Sequence, residues 1–90
     1  MRRKKILLHG TADSIRNFFA DAISRDFEVV AILSDEPEKI SAAKLDVLAP
    51  KNLPAFVYKI IDAIILTADK SAVEFFLRRG LVPQKIICSI

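Results

Sequence analysis

The chain has 90 residues, 52% of them hydrophobic and 28% charged, with a formal net charge of +3 at pH 7. This length fits one small domain, and the apolar fraction is that of a globular protein, which excludes intrinsic disorder. Taking the four N-terminal cations (Arg2, Arg3, Lys4 and Lys5) from the +3 leaves −1. The rest of the chain is therefore close to neutral, which argues against a nucleic-acid-binding face.

No segment has the pattern of a secretory signal or a membrane span. The apolar run behind the N-terminal cations covers only residues 6–8, which is shorter than the hydrophobic region of a signal peptide. No run approaches the ~20 apolar residues that cross a bilayer. Cys88 is the one cysteine and has no partner for an internal disulfide. We therefore expect a cytoplasmic protein with neither a nucleic-acid nor a membrane partner.

The first predicted strand covers residues 4–9, whose continuous apolar character indicates burial on both faces of a parallel sheet. A helix over residues 13–24 follows Gly10. Its apolar positions repeat at the spacing of one helix face: Ile15, Phe18, Phe19, Ala22 and Ile23. Because neighbouring phenylalanines cannot both face inward, we expect one of Phe18 and Phe19 at the margin of the core.

The second strand is predicted over residues 27–33, and Pro37 in the acidic turn behind it suits a first helical position. The spacing of the apolar residues within positions 40–45 then predicts a short helical turn. A brief third strand over residues 46–49 is stopped by Pro50. A loop or a one-turn helix opens at residues 52–54.

The fourth strand is predicted over residues 60–67. After it, Ser71 and Glu74 have the spacing of a capping box, in which each side chain satisfies a backbone donor of the other residue. This helix should run to Arg79, with Gly80 as a left-handed cap and one phenylalanine of the 75–76 pair at the margin. A fifth strand covers residues 85–89, and Cys88 within it is predicted as a small core residue.

Strands that alternate with helical segments predict an α/β fold with one parallel sheet in the order 3-2-1-4-5 and helices on both faces. Ligands in such sheets bind outside the carboxyl ends of the strands, where the strand order reverses. Here that position lies between strands one and four. The residues that converge there are Gly10, Thr11, Ala12, Asp13, Ser34, Asp35, Thr67 and Ala68.

The sequence contains no recognisable catalytic constellation. His9 lies at the end of strand one, where an imidazole is able to contact a ligand or transfer a proton. No second histidine, serine elbow or paired carboxylates accompany it, so a strand-end structural residue is the favoured interpretation. One histidine and one cysteine do not make a metal site. We predict neither catalytic residues nor a metal in this domain.

Five segments occur in a recognisable order: residues 4–10, 29–39, 47–53, 62–66 and 80–87. Together they resemble the small Rossmann-like N-terminal domain of bacterial enzymes of surface-polysaccharide and nucleotide-sugar biosynthesis. Such domains precede sugar-nucleotide dehydratases and epimerases, sugar acyltransferases and FkbM-type methyltransferases. The resemblance covers residues 3–90 and implies a three-layer αβα sandwich around a five-stranded parallel sheet.

The resemblance also implies a ligand, either NAD(P) or a sugar nucleotide, held by the glycine loop and by the acid after strand two. It matches Gly10 and Asp35 to these contacts. With residues that converge at the same strand ends, the predicted contacts are Gly10, Thr11, Ala12, Asp13, Asp35 and Thr67. The glycine fingerprint would place glycines at positions 10, 12 and 15, but this chain has Ala12 and Ile15. A carboxylate at Asp13 would also repel a phosphate at the helix N-terminus, unless Asp13 is simply the helix cap.

Two functions remain open at this point. The first is a nucleotide or nucleotide-sugar binding module of a polysaccharide-biosynthesis enzyme, with the chemistry in a C-terminal catalytic domain. The second is a degenerate Rossmann-like domain that binds a partner domain or a second copy of itself, and no ligand. In both cases we expect residues 1–90 to be one domain at the start of a longer protein.

Overall fold

A computed structural model describes residues 3–21, 25–40 and 45–88. The strands in these ranges are Lys4–His9 (β1), Phe27–Leu33 (β2), Asp46–Leu48 (β3), Ala63–Leu66 (β4) and Ile86–Cys88 (β5). The α-helices are Ala12–Ala20 (α1), Val57–Ile60 (α2) and Ala72–Arg78 (α3). Short 3₁₀ helices cover Pro37–Lys39, Pro50–Asn52 and Pro83–Lys85, each beginning with its proline.

All five strands are parallel and lie in the order β3-β2-β1-β4-β5. The predicted α/β fold class and strand order are therefore confirmed, and the architecture is Rossmann-like. β1 occupies the centre, with β2 on one side and β4 on the other. Its apolar residues are buried because both faces of a central parallel strand are covered by helices.

Helices cover the two faces of the sheet and form two apolar layers. On one face, Ile6 and Leu8 of β1 pack in a cluster with Ile15 and Phe18 of α1. On the other face, Leu7 belongs to a second cluster with residues of α2 and α3: Val57, Tyr58 and Phe76. Successive β1 side chains alternate between the layers, as the two-residue period of a strand requires.

The start of α1 differs from the prediction. Thr11 is the N-cap, and it forms a capping box with Ser14, whose backbone N–H the Thr11 hydroxyl accepts. Asp13 is therefore not the cap, since it lies in the first turn, where it pairs with Arg16. α1 ends at Ala20, and residues 22–24 of the predicted helix lie outside the described residues, as do residues 41–44 of the predicted helical turn.

The capping box predicted at Ser71 and Glu74 is wrong. Ser71 has helical backbone angles and makes no side-chain cap bond. Its N–H and hydroxyl both donate to Asp69 Oδ1, while Glu74 pairs with Arg78. The helix ends at Arg78, one residue before the predicted end, and Gly80 has the predicted left-handed conformation with φ of 95°.

Cys88 lies in β5 as predicted, but it is exposed, so the core assignment is wrong. β5 pairs with β4 alone and forms an edge of the sheet, where residues have fewer neighbours to cover them. The expected split of the phenylalanine pairs is confirmed, because Phe18 and Phe76 are buried while Phe19 is exposed and Phe75 is only partly covered.

Candidate functional site

A cleft of about 380 Å³ opens at the carboxyl edge of the sheet, on the face that α3 covers. Four strands end beside it, because parallel strands bring all of their carboxyl ends to one edge. The cleft is lined by His9, Asp35, Ala49, Pro50, Lys51, Asp69, Ser71, Ala72 and Phe75. It therefore lies at the predicted edge, and its lining comes from the loops after β1, β2, β3 and β4 and from the start of α3.

His9 is one of two buried residues in this lining, together with Pro50. It is 5% exposed, it ends β1, and its ring meets the Phe76 ring edge-on with 5.7 Å between centroids. Burial lowers the pKa of His9 below its ordinary value, and the Asp35 and Asp69 carboxylates oppose this shift without reversing it. The imidazole is consequently neutral at pH 7, with one nitrogen that donates and one that accepts.

The Nδ1 atom of His9 is buried and has no hydrogen-bond partner among the described residues. A buried polar atom without a partner costs about 1 to 3 kcal/mol of stability. Such atoms are uncommon in folded proteins and often mark functional positions. This nitrogen is therefore an unpaired polar atom beneath the surface of the cleft, in a ring whose residue lines it.

Asp69 contributes a carboxylate whose geometry is held locally. Ser71 donates to Oδ1 from its hydroxyl at 2.7 Å and from its backbone N–H at 2.9 Å. These bonds lower the pKa of Asp69, so the group stays ionised at neutral pH. Because both bonds use Oδ1, the Oδ2 atom keeps its capacity to accept a hydrogen bond.

Asp35 reaches the cleft from the turn after β2. The preceding Ser34 is buried, its N–H donates to Leu48 O at 3.0 Å, and its hydroxyl accepts the Glu36 N–H at 3.2 Å. These bonds join the end of β2 to the end of β3 and fix the turn. Ser34 therefore has a structural role here, and it presents the exposed Asp35 at the mouth of the cleft.

The glycine turn after β1 is closed by hydroxyl groups. Thr67 Oγ1 donates to His9 O at 2.9 Å and lies 2.8 Å from Ser14 Oγ. A methyl group at position 10 would overlap both hydroxyl oxygens. Gly10 does not have a positive φ, so glycine is needed there for this close approach. The space beside its Cα atom is taken by side chains of the protein itself.

The first turn of α1 also uses its own donors. The Thr11 N–H donates to Ser14 Oγ at 2.8 Å, and the Ser14 N–H donates to Thr11 Oγ1 at 3.2 Å. The exposed Asp13 carboxylate lies beside these groups and 3.4 Å from Arg16 Nη1. The backbone N–H groups at this end of α1 are therefore partly hydrogen-bonded within the protein, and the Asp13 carboxylate adds a negative charge. Both features disfavour a bound anion there.

The predicted contact residues fall into two groups. Asp35 lines the cleft, whereas Gly10, Thr11, Ala12, Asp13 and Thr67 belong to the turn and to the start of α1, and none of these five is among the lining residues. Ala68 is exposed and likewise not among them. Sequence reasoning missed Lys51, Asp69 and Phe75. The signal in the sequence was their position, since each of Lys51 and Asp69 follows the end of a predicted strand within a few residues.

No protein-family model matches this chain, and no curated protein matches it at a significant level. Among the residues that the structure describes, no helix is both long and apolar enough to span a membrane. The same residues contain no group of three or more histidine, cysteine, aspartate or glutamate side chains arranged to hold a metal ion.

Proposed function

We propose that this domain binds a nucleotide or nucleotide sugar in the cleft at the carboxyl edge of its sheet. The domain would serve a larger enzyme of polysaccharide or nucleotide-sugar biosynthesis, with the chemistry in another domain. One observation carries the proposal: a buried neutral imidazole with an unpaired nitrogen shares a cleft with the carboxylates of Asp35 and Asp69. The cleft also lies where ligands bind in sheets of this topology.

The lining matches the chemistry of a sugar or nucleoside. Carboxylates accept hydrogen bonds from vicinal hydroxyl groups, as the acid after strand two does for ribose in dinucleotide-binding folds. The neutral His9 ring is able to donate or to accept a further bond. Pro50 and Phe75 supply apolar surface on which one face of a base or sugar ring can pack.

The size of the site favours one sugar or nucleoside unit over a whole dinucleotide. A volume of about 380 Å³ lies near the lower end of the range for small-molecule sites, roughly 300 to 1,000 Å³. A dinucleotide would also need the glycine turn for its pyrophosphate, and the hydroxyls of Ser14 and Thr67 fill the space beside Gly10. In either ligand class, one sugar or nucleoside unit would therefore lie in the cleft, and the diphosphate would lie away from the glycine turn.

The proposal is tested by thermal unfolding with UDP-glucose, dTDP-glucose and NAD⁺ as separate probes. A ligand that binds the folded state at ten times its Kd adds about 1.4 kcal/mol of stability. For a domain of this size, that gain raises the Tm by roughly 5 to 10 °C. We expect this rise with at least one sugar nucleotide, and Asp35→Asn should reduce it at equal ligand concentration.

The matched control is Asp46→Asn, because Asp46 is also exposed but lies at the start of β3 and is not among the residues that line the cleft. It makes the same change of charge away from the cleft, so the ligand-induced rise should persist. An unchanged Tm with every probe at millimolar concentration would refute the proposal. If the two substitutions reduce the ligand-induced rise in Tm equally, Asp35 does not contact the ligand.

The second candidate function is a domain that binds a protein partner and no nucleotide. It is favoured by Phe56 and Ile60, which are 64% and 52% exposed at the two ends of α2. Residues four apart lie on the same side of a helix, so these two side chains present adjacent apolar surface. This function is the one to pursue if none of the nucleotide probes changes the Tm.

A further inference from the structure

We propose that Arg79 and Lys51 form a phosphate-binding subsite beside the cleft, which takes the phosphate groups of a nucleoside diphosphate or sugar diphosphate. This inference rests on the proposed function, because it assigns the charged part of the ligand whose sugar or nucleoside lies in the cleft. It places the phosphates on the α3 side of the sheet, away from the glycine turn.

The subsite adjoins the cleft through shared residues. A second depression, of about 420 Å³, is lined by Ser71, Glu74, Phe75, Arg78 and Arg79. Ser71 and Phe75 also line the first cleft. The two depressions therefore meet along this part of α3, and a ligand longer than one sugar ring is able to extend from one into the other.

Two contacts place Arg79 next to Lys51 at this junction. The Arg79 guanidinium carbon lies 4.9 Å from the centre of the Phe75 ring, so its charged plane lies over a residue that both depressions share. Arg79 Nη2 also donates to the backbone carbonyl of Lys51 at 3.4 Å. Lys51 itself lines the cleft, so this bond places the guanidinium beside a residue of the cleft rim.

The two depressions differ in their balance of charges. The first is lined by the carboxylates of Asp35 and Asp69 and by one cation, Lys51, whereas the second is lined by two arginines and by Glu74, which pairs with Arg78. Carboxylates favour the hydroxyl groups of a ligand and repel its phosphates. A ligand with hydroxyls at one end and phosphate at the other therefore has one favoured orientation, with its phosphate toward α3.

Arg79 and Lys51 are the cations available for that phosphate. Arg78 is 2.8 Å from Glu74 Oε1 and is therefore partly neutralised. Neither Arg79 nor Lys51 has an acidic partner among the ion pairs of the described residues. A guanidinium has five N–H donors in a planar fork that matches phosphate oxygens, and Arg79 uses one of them in the long bond to Lys51 O.

The test compares ligands that differ only in phosphate. Binding of uridine, UDP, adenosine, ADP and inorganic pyrophosphate is measured by isothermal titration calorimetry with wild type, Arg79→Gln and Lys51→Gln. We expect Arg79→Gln to weaken diphosphate binding about tenfold, as loss of a charge-assisted bond does, with nucleoside binding unchanged. Lys51→Gln should act in the same direction, since Lys51 lines the cleft and its carbonyl accepts the bond from Arg79.

Arg16→Gln is the matched control, because Arg16 is an exposed arginine on α1, on the other face of the sheet. Arg16→Gln removes the same unit of positive charge as Arg79→Gln. Any loss of diphosphate affinity that is larger in Arg79→Gln therefore comes from the contact of Arg79 with the ligand. The inference is overturned if Arg79→Gln and Arg16→Gln bind UDP and ADP alike, or if Arg79→Gln weakens nucleosides and diphosphates by the same factor.

The failure of the proposed function gives a different result. If wild type binds none of the probes, both proposals are overturned together. If nucleosides and diphosphates bind equally well to every variant, the proposed function stands and the phosphate subsite is refuted. If pyrophosphate binds in an Arg79-dependent way while neither nucleoside nor nucleotide binds, the subsite stands as an anion site and the proposed function fails.

Discussion

At the scale of single residues, His9 links the fold to the cleft. Its backbone continues the central strand, and its carbonyl accepts both the Thr67 N–H at 2.9 Å and the Thr67 hydroxyl at 2.9 Å. Its side chain is buried against Phe76 and lines the cleft. The same burial that makes the ring part of the core also depresses its pKa, so protonation of this residue works against folding.

The pH dependence of stability follows from this shift. The pKa of His9 is near 6.5 in the unfolded chain and lower in the folded one. Between the two values the unfolded state binds more protons, so stability is full above the unfolded pKa and falls as the pH drops below it. We expect the free energy of unfolding to decrease between about pH 7.5 and pH 5.5, as measured by urea titration.

His9→Gln provides the comparison, because His9 is the one histidine of the chain and glutamine does not titrate. The variant should lose less stability than wild type over the same pH interval. Parallel losses in the two proteins would assign the pH dependence to the carboxyl groups and contradict the shift at His9.

At the scale of elements, the two longer helices begin by different means. α1 is capped by the reciprocal bonds between Thr11 and Ser14. In α3, Asp69 takes the role of a cap, since its side chain accepts the Ser71 N–H at 2.9 Å and its carbonyl accepts the Ala72 N–H at 3.3 Å. Ser71 is already in the helical region, so it is unable to cap in the way that its spacing to Glu74 predicted.

Substitution should separate a true capping box from an apparent one. Thr11→Ala removes the side chain that caps α1 and should cost ~1 kcal/mol of unfolding free energy. Glu74→Ala breaks only an exposed pair with Arg78 and should change it by about 0.5 kcal/mol or less. Urea titration of both variants at pH 7 checks this difference. A loss of ~1 kcal/mol for Glu74→Ala would mean that a capping box does form at the start of α3.

At the scale of the whole molecule, stability depends on the two apolar layers on either side of the sheet. Phe76 is fully buried in the α3 layer, where it meets His9, Tyr58 and Phe75 in edge-on ring contacts. Phe19 belongs to the opposite helix layer and is 43% exposed. A 90-residue chain of ordinary stability has about 5 to 13 kcal/mol in total, so loss of one large core side chain is a substantial fraction.

The contrast between these two phenylalanines is measurable. Phe76→Ala should lower the free energy of unfolding by about 3 to 5 kcal/mol, because it removes a fully buried ring and leaves a cavity. Phe19→Ala should lower it by about 1 kcal/mol or less, because much of that ring already contacts solvent. Both losses are measured as shifts of the urea unfolding midpoint, with the dependence of the unfolding free energy on urea concentration unchanged. Equal losses would show that α1 buries Phe19 as deeply as α3 buries Phe76.

Much of the fold was predictable from local patterns. β1 and β2 have the predicted bounds, because their apolar runs carry the periodicity of buried strands. Gly80 takes the predicted left-handed conformation, since that preference belongs to the residue itself. The right-handed crossover rule then leaves few sheet orders open, and the one predicted was correct.

Sequence alone determined that five strands form, their order and the edge of the sheet at which the cleft opens, because these follow from periodicity and from the handedness of the crossovers. The predicted start of strand four at residue 60 was wrong, since that residue ends α2 and β4 covers Ala63–Leu66. Only the tertiary structure decided that Thr11 caps a helix while Ser71 does not, and that Asp69 and Lys51 join Asp35 around one cleft. It also decided that hydroxyls from α1 and the β4 loop close the glycine turn. The two helix caps depend on the backbone angles of neighbouring residues. The cleft and the closed turn depend on residues distant in sequence meeting at one edge, and no local pattern encodes such a meeting.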